Sequence, residues 1–319
     1  MTAKSANLIK PNQVLRINNS KAPVLVIVYN RYNHFVQTIE ALKNNYLASE
    51  TILYIASDYP NNNDDNEAVF KIREYIQTIT GFKNVVPLLR EQNVGAVNNS
   101  KLAREVIFSK YDKMIMMEDD VVTGRGFLNF INEGLVKYEK NDNVMAICGY
   151  FFPINNIGHN ENQVFLKLFN AWGYGTWRDK IQKIPRDSEL SREFLKSFTL
   201  FWKMNCLSPH LLPMVSAIAE SRLEAFDVNM CLYLIKKNSF CVFPSQSLTR
   251  NTGFDGSGLH CGNDNYFSKQ PYFNGLLEIS EGVAIKDTKG YNRAVFQYFG
   301  GCKKLFVNMF SYYLKKYRS

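Results

Sequence analysis

No stretch of the sequence comes near 18 consecutive apolar residues, so no transmembrane helix is expected. The first 22 residues are polar and hold no apolar core of the kind a secretory signal needs. The six cysteines are Cys148, Cys206, Cys231, Cys241, Cys261 and Cys302, and no two of them have the two-residue gap of a zinc knuckle or a redox motif. Six over 319 residues is too sparse for a disulfide framework, so reduced thiols are expected. Together these absences predict a protein made and kept in the cytosol. An internal repeat and a low-complexity tract are also missing, which excludes a repeat array.

What is present is an ordinary globular composition. Hydrophobic residues make up 46% and charged residues 21%, enough for a substantial buried core. The net charge of +9 is compatible with nucleic acid, anionic lipid or phosphorylated substrates as partners. The basic residues form no aromatic-interleaved patch, so a nucleic-acid role is not expected. Part of the excess lies near the end, in Lys303, Lys304, Lys315, Lys316 and Arg318.

After a polar lead-in (1–22), short apolar runs alternate with segments of helical spacing. Strands are predicted at 23–29, 51–56, 85–89 and 113–117, and helices at 34–46, 66–79 and 96–109. Compact runs rich in β-branched residues suit strands buried on both faces. This order specifies an α/β fold, a doubly wound, mostly parallel sheet with helices on both faces. Ligands of such sheets gather at the carboxyl ends of the strands, where Asn30, Arg31, Asp58 and Glu118–Asp120 should converge. Farther on, helices are predicted at 127–139 and 222–236 and strands at 144–149 and 240–244. Residues 170–177 read as a loop feeding a helix, and 249–262 as a Gly-rich polar loop. The expected organisation is a nucleotide-binding half (23–122), a second half of the same domain (123–265) and a carboxyl-terminal extension (266–319).

Glu118, Asp119 and Asp120 follow the fourth apolar strand directly. Three adjacent carboxylates repel one another and raise each other's pKa. A divalent cation removes that penalty; oxygen ligands suit Mg²⁺ or Mn²⁺, which commonly keep a substrate's phosphates in their shell. A nucleotide diphosphate would complete such a site. The plainer alternative is that Asp119 and Asp120 cap the next helix or sit in a solvated turn, and that Asp58 is a turn residue before Pro60.

The strand ending in Val28 with Arg31, then Ser57-Asp58, then Met117-Glu118-Asp119-Asp120-Val121, resemble the inverting GT-A glycosyltransferases of the N-acetylglucosaminyltransferase I type. The segments Ala171–Arg178 and Phe254–Cys261 are similar to a bacterial branch that acts in surface-polysaccharide synthesis. The resemblance covers residues 22–262 and implies a UDP-sugar donor, such as UDP-GlcNAc, and a glycan acceptor; a helix of residues 305–314 lying in a membrane interface would suit a lipid-linked one. It implies that Asp120 is the metal ligand, that Asp119 reaches the ribose and that Glu118 bonds the donor sugar's hydroxyls. Asp58 would read the uracil and Arg31 would hold the nucleotide. The segment Ala225–Met230 resembles the family's aromatic-Asp segment and points to Asp227 as the catalytic base, in an environment expected to be partly apolar; the plainer alternative is a helix N-cap aspartate. The family's second acid there is Val228 in this sequence, so the acceptor pocket differs.

Trp172, Tyr174 and Trp177 could stack on sugar faces or form a packing corner. His260 could help bind phosphate or metal when its loop closes, or be structural. Residues 305–314 are apolar and aromatic and precede a basic tail. On a helix they could lie in the membrane interface, giving peripheral contact with the cytoplasmic face of the inner membrane, or pack on the core. Two other functions compete. A sugar nucleotidyltransferase usually has a Gly-rich turn after its first strand, whereas the turn here is Tyr29-Asn30-Arg31-Tyr32. A non-catalytic nucleotide- or glycan-binding protein is the other.

Overall fold

The computed structural model describes residues 21–154, 162–186, 188–256, 265–280 and 289–316. The first four strands are β1 (Val24–Val28), β2 (Ile52–Ser57), β3 (Asn84–Leu89) and β4 (Lys113–Glu118). Each agrees with its predicted span to within one residue at either end. Between them run α1 (Tyr32–Lys43), α2 (Asn66–Thr78) and α3 (Gly95–Phe108). β1 pairs in parallel with both β2 and β4, and β2 with β3. Alternate residues of β1 serve opposite faces: Val24, Val26 and Val28 join one core cluster and Leu25 the other. Burial on both faces is why β1, β2 and β4 read as unbroken apolar runs, whereas none of the residues of β3 is buried. β3 lies at the sheet edge, which tolerates Pro87 because an edge strand need not donate every ladder bond.

The remaining strands are β5 (Val121–Thr123), β6 (Val144–Cys148), β7 (Gln163–Leu166), β8 (Tyr174–Trp177), β9 (Phe240–Pro244) and β10 (Thr249–Asn251). The main sheet has eight strands in the order β3-β2-β1-β4-β8-β6-β9-β7. β8 and β7 run antiparallel to their neighbours and the other six strands run one way. One sheet therefore spans both expected halves of the chain. α4 (Phe127–Lys137) covers the face shared with α1 and α2. α6 (Glu189–Lys196), α7 (Phe198–Leu207), α8 (Leu212–Ala219) and α9 (Phe226–Lys237) build the opposite core with α3, and the short α5 (Arg178–Ile181) precedes them. α10 (Asn265–Ser268), α11 (Lys289–Tyr298) and α12 (Gly301–Lys316) complete the described chain.

Two expectations are corrected. Residues 174–177, read as loop, are β8, which sits between β4 and β6 in the middle of the sheet. Gly173 turns the chain at φ +82°, and Gly175 lets α4 press on the strand: a Cβ there would lie 2.5 Å from Ile131 Cγ2. Residues 249–251, read as the start of a loop, are β10, paired antiparallel with β5 so that Asn251 faces Val121.

A strap crosses the start of α4. Phe273 N donates to Ser247 O at 2.7 Å and Arg125 N donates to Asn274 Oδ1 at 3.1 Å. The approach is close enough that a Cβ on Gly124 would lie 2.1 Å from Phe273 O, and one on Gly126 2.3 Å from Gly275 O.

Candidate functional site

The strand order reverses at β1. The chain leaves β1 toward β2 on one side and returns to β4 on the other, which opens a crevice at the carboxyl ends of β1 and β4. Arg31, in the turn before α1, and Glu118–Asp120, at the end of β4, meet there. The Arg31 guanidinium forms a salt bridge with Asp119 through Nη2 and contacts Asp120 Oδ2 through Nη1 at 2.9 Å. Asp119 and Asp120 are buried, and the Asp119 carbonyl accepts from Thr38 Oγ1 at 2.8 Å.

The β5–β10 pairing brings a segment from 130 residues away onto the same carboxylates. Asn251 Nδ2 donates to Asp120 Oδ1 at 3.2 Å, and Thr252 N donates to the Asp120 carbonyl at 2.7 Å. Gly253 N is held by Asn251 Oδ1 at 2.7 Å. A Cβ on Gly253 would lie 2.1 Å from Asp120 Oδ2 and 2.8 Å from Arg31 Nη1, so glycine is required by close approach. From α1, His34 contacts Thr252 Oγ1 through Nδ1 at 3.1 Å and Asp255 Oδ2 through Nε2 at 2.9 Å. Sequence reading missed His34, Thr38, Asn251 and Thr252. The last two reach the site only through the pairing of β10 with β5, which leaves no local signal in the sequence.

The electrostatics are those of crowded acids. Burial, then Asp120 and Asp119, push the Glu118 carboxyl up to about 8; Arg31 works against the shift and Asp227 adds to it. By surface area Glu118 is exposed, yet its carboxyl is strongly desolvated. Burial raises Asp119 to about 6 although Arg31 opposes it. Burial works against the charge of Arg31, but Asp119 and Asp120 outweigh it and hold its pKa above the ordinary value.

The mutual effect of Glu118 and Asp227 brings the second half of the chain to this cleft. Asp227 is exposed in the first turn of α9, where the helix dipole favours a carboxylate, and Phe226 beside it packs on Phe169. Its exposure differs from the partly apolar setting expected. Asp58 is buried at the end of β2; its Oδ1 accepts from Tyr59 N at 2.9 Å and from Val94 N at 3.0 Å, a turn role. Its other carboxylate oxygen has no protein partner among the described residues.

The aromatic candidates separate. Tyr174 is buried, edge-on to Phe169, with its hydroxyl 3.3 Å from Met116 Sδ. It offers no face for a sugar, so the expectation of stacking gives way to a packing role. Trp177 is likewise buried, under the Lys180 ammonium at 3.7 Å. Trp172 is partly exposed at the centre of a ring cluster with Tyr150, Phe254 and Phe267. His260 lies outside the described residues.

Among the described residues no group of three or more His, Cys, Asp or Glu side chains is arranged to enclose a metal ion. The donor set fits another kind of cation site. Three carboxylates and one guanidinium leave surplus negative charge at a cleft, and Mg²⁺-type ions are commonly bound by one or two carboxylates together with substrate phosphates.

No protein-family model matches the chain, and no curated protein matches it. Among solved structures it is similar to S. aureus TarS, at 12% identity and TM-score 0.36, over 53% of this chain and 31% of that one. The TarS 1–349 structure is similar at the same identity and TM-score, over 53% and 51%. The mannosyltransferase PcManGT from Pyrobaculum calidifontis, in complex with GDP-Man and Mn²⁺, is similar at 12% identity and TM-score 0.42, over 71% and 73%. The chain spans about a third of the length of the TarS chain it resembles.

Proposed function

We propose that this chain is a metal-dependent inverting glycosyltransferase that moves a sugar from a UDP-sugar to a hydroxyl of a glycan acceptor in surface-polysaccharide synthesis. The observation that carries the reading is the meeting of Arg31 and Glu118–Asp120 at the sheet's switch point, with Asp227 close enough to act on Glu118. Asp120 would hold Mn²⁺ or Mg²⁺, Asp119 the ribose and Glu118 the donor sugar's hydroxyls. Arg31 would steady the nucleotide, and the free oxygen of Asp58 would meet the uracil.

In the transfer, Asp227 takes the proton of the acceptor hydroxyl as that oxygen bonds to the anomeric carbon. The bond from that carbon to the diphosphate breaks on the opposite side, and its electron pair leaves with the diphosphate oxygen, which inverts the centre. A divalent cation, when bound, supplies charge stabilisation to the departing diphosphate. Asp227 is exposed in the first turn of α9.

Peripheral membrane contact belongs to the same reading. Phe198 of α7 is 81% exposed, and Phe306 and Phe310 of α12 are each 68% exposed. The two helices meet through Phe201 and Tyr312 at 5.6 Å. Neither contains an acidic residue, and Lys203, Lys303 and Lys304 are exposed on them, which suits an anionic lipid surface. No helix among the described residues is long and apolar enough to cross a membrane.

The test is release of UDP from a panel of UDP-sugars with and without Mn²⁺, with thermal shifts for UDP plus Mn²⁺. Asp227→Asn should abolish transfer and leave UDP binding nearly intact. Wild-type turnover in Asp227→Asn removes Asp227 from the mechanism, and absence of any UDP or GDP shift with Mn²⁺ removes the function.

A further inference from the structure

On the face of the sheet that carries Glu118, two guanidinium groups stand without a counter-ion among the described residues. Arg104, in α3, is 7% exposed, and its Nε donates to Ser100 O at 3.2 Å. Its two terminal nitrogens have no acceptor among the described residues. Arg186, after α5, is exposed and has neither a hydrogen bond nor an ion pair among the described residues. Both lie over one ring, that of Phe226: the Arg186 Cζ is 4.8 Å and the Arg104 Cζ 6.0 Å from its centroid. Phe226 immediately precedes Asp227. Both arginines act electrostatically on Tyr174, which also feels Glu118.

We propose that Arg104 and Arg186 form a subsite for an oxyanion of the acceptor, a phosphoryl or carboxylate group, held beside the hydroxyl that Asp227 deprotonates. The assignment to the acceptor rests on the glycosyltransferase reading. Burial disfavours the charge of both arginines, and Arg104 further disfavours that of Arg186. Glu105 favours the charge of Arg104 without reaching ion-pair distance. A largely buried cation with no carboxylate partner is costly, and a ligand that supplies the missing charge recovers the cost. Planar guanidinium forks match the geometry of carboxylate and phosphate, and the face of Phe226 steadies both cations.

The position separates this pair from the nucleotide corner. Successive residues of β4 alternate between the faces of the sheet, so Glu118 points to the side of Met114, away from Met117. Tyr174 belongs to the same side, on β8, which is the neighbour of β4 opposite to β1. Arg31 stands at the start of α1, which packs on the opposite face of the sheet from α3, while Arg104 of α3 and Arg186 meet over Phe226, next to the base. A diphosphate at Asp120 and an oxyanion at the arginine pair would flank the reacting centre.

The experiment follows thermal stability of the full chain during titration with inorganic phosphate or glucuronate, without metal and at constant ionic strength. A parallel titration uses UDP with Mn²⁺. Saturable stabilisation is expected, and whichever of phosphate or glucuronate half-saturates at the lower concentration identifies the source of the oxyanion. Arg186→Gln, at an exposed position, should raise that half-saturation by about tenfold or more and change the UDP midpoint less than about twofold. Arg104→Lys keeps the buried charge but loses the fork, and should weaken oxyanion binding in a folded protein. Oxyanion titrations unchanged in both variants overturn the subsite. Equal loss of UDP binding in Arg186→Gln assigns the pair to the donor diphosphate and overturns the acceptor assignment. If the wild type binds the oxyanion but no nucleotide, the glycosyltransferase reading fails and takes the acceptor assignment with it, while the oxyanion titration still reads the arginine pair itself.

Discussion

Replacing Arg31 with Met tests whether one guanidinium holds the acidic corner together. Among the described residues Arg31 is the only cation in salt-bridge contact with Asp119 or Asp120, which are 4% and 2% exposed. Methionine keeps an unbranched side chain of similar reach and removes the charge. Two buried carboxylates then remain beside Glu118 without compensation, and breaking a buried pair in this way costs about 3–5 kcal/mol. The Arg31 side chain is itself 19% exposed, so water softens the loss toward the lower end of that range. At about 2.1 cal/mol/K of unfolding entropy per residue, a chain of 319 residues loses about 1.5 °C of Tm per kcal/mol. The expected fall is about 5 °C, read by thermal unfolding in a chelating buffer. Mn²⁺ should restore part of it, because at a hundredfold excess over Kd a bound ligand adds about 2.7 kcal/mol. The gain on adding Mn²⁺ should therefore be larger in the variant than in the wild type. A variant that melts within 1 °C of the wild type, by the same estimate under about 1 kcal/mol, refutes the charge-compensation reasoning.

Gly253→Ala should push the Asp120 carboxylate or the 252–254 backbone aside, since the new methyl would lie 2.1 Å from Asp120 Oδ2. A cost of about 1–3 kcal/mol in urea unfolding is expected, with weaker UDP–Mn²⁺ binding; wild-type binding counts against the close approach. His210 stacks on Phe299 at 3.6 Å, and burial followed by Lys304 lowers its pKa to about 4. As pH falls from about 6.5 toward 4 the unfolded chain takes up a proton that the folded chain refuses, so stability is full above 6.5 and drops by on the order of 3 kcal/mol across that window. His210→Phe should flatten this part of the profile, and parallel profiles in urea titrations would exclude His210 as the source. Phe306→Ser with Phe310→Ser should reduce sedimentation with anionic liposomes and leave UDP binding unchanged; equal sedimentation would end the membrane reading.

The first four strands were legible because each is a short apolar run that ends in a polar turn; β1, β2 and β4 are buried on both faces, whereas β3, at the edge, has no buried residue. β8 was not, because two glycines among aromatics read as a corner, and only α4 pressing on Gly175 explains why glycine sits in a strand. β5 and β10 are three residues each and exist through their mutual pairing, which no local pattern carries. The helices between residues 189 and 219 escaped for a related reason. α7 meets α6, α9 and α11 yet leaves Phe198 and Trp202 exposed, so its apolar residues follow no clean helical period. At the site, Arg31 and Glu118–Asp120 were found because they lie where apolar strands stop. Asn251 and Thr252 were missed because pairing with β5 delivers them. Arg104 and Arg186 look in sequence like ordinary surface cations, and only the fold stacks both on Phe226.

The strap over α4 has a consequence for the chain on its amino-terminal side. Asn251 is pinned by β5, Phe254 and Phe267 pack on Trp172, and Phe273 and Asn274 are pinned by Ser247 and Arg125, so the chain before residue 257 and the chain after residue 264 are each fastened to the body. After a single protease cut between residues 257 and 264, the carboxyl-terminal piece would still be held through Phe267, Phe273 and Asn274. The nicked protein should therefore stay in one piece on a sizing column and keep Asp120 in its grip, and a second amino terminus would be the main sign that the cut had occurred.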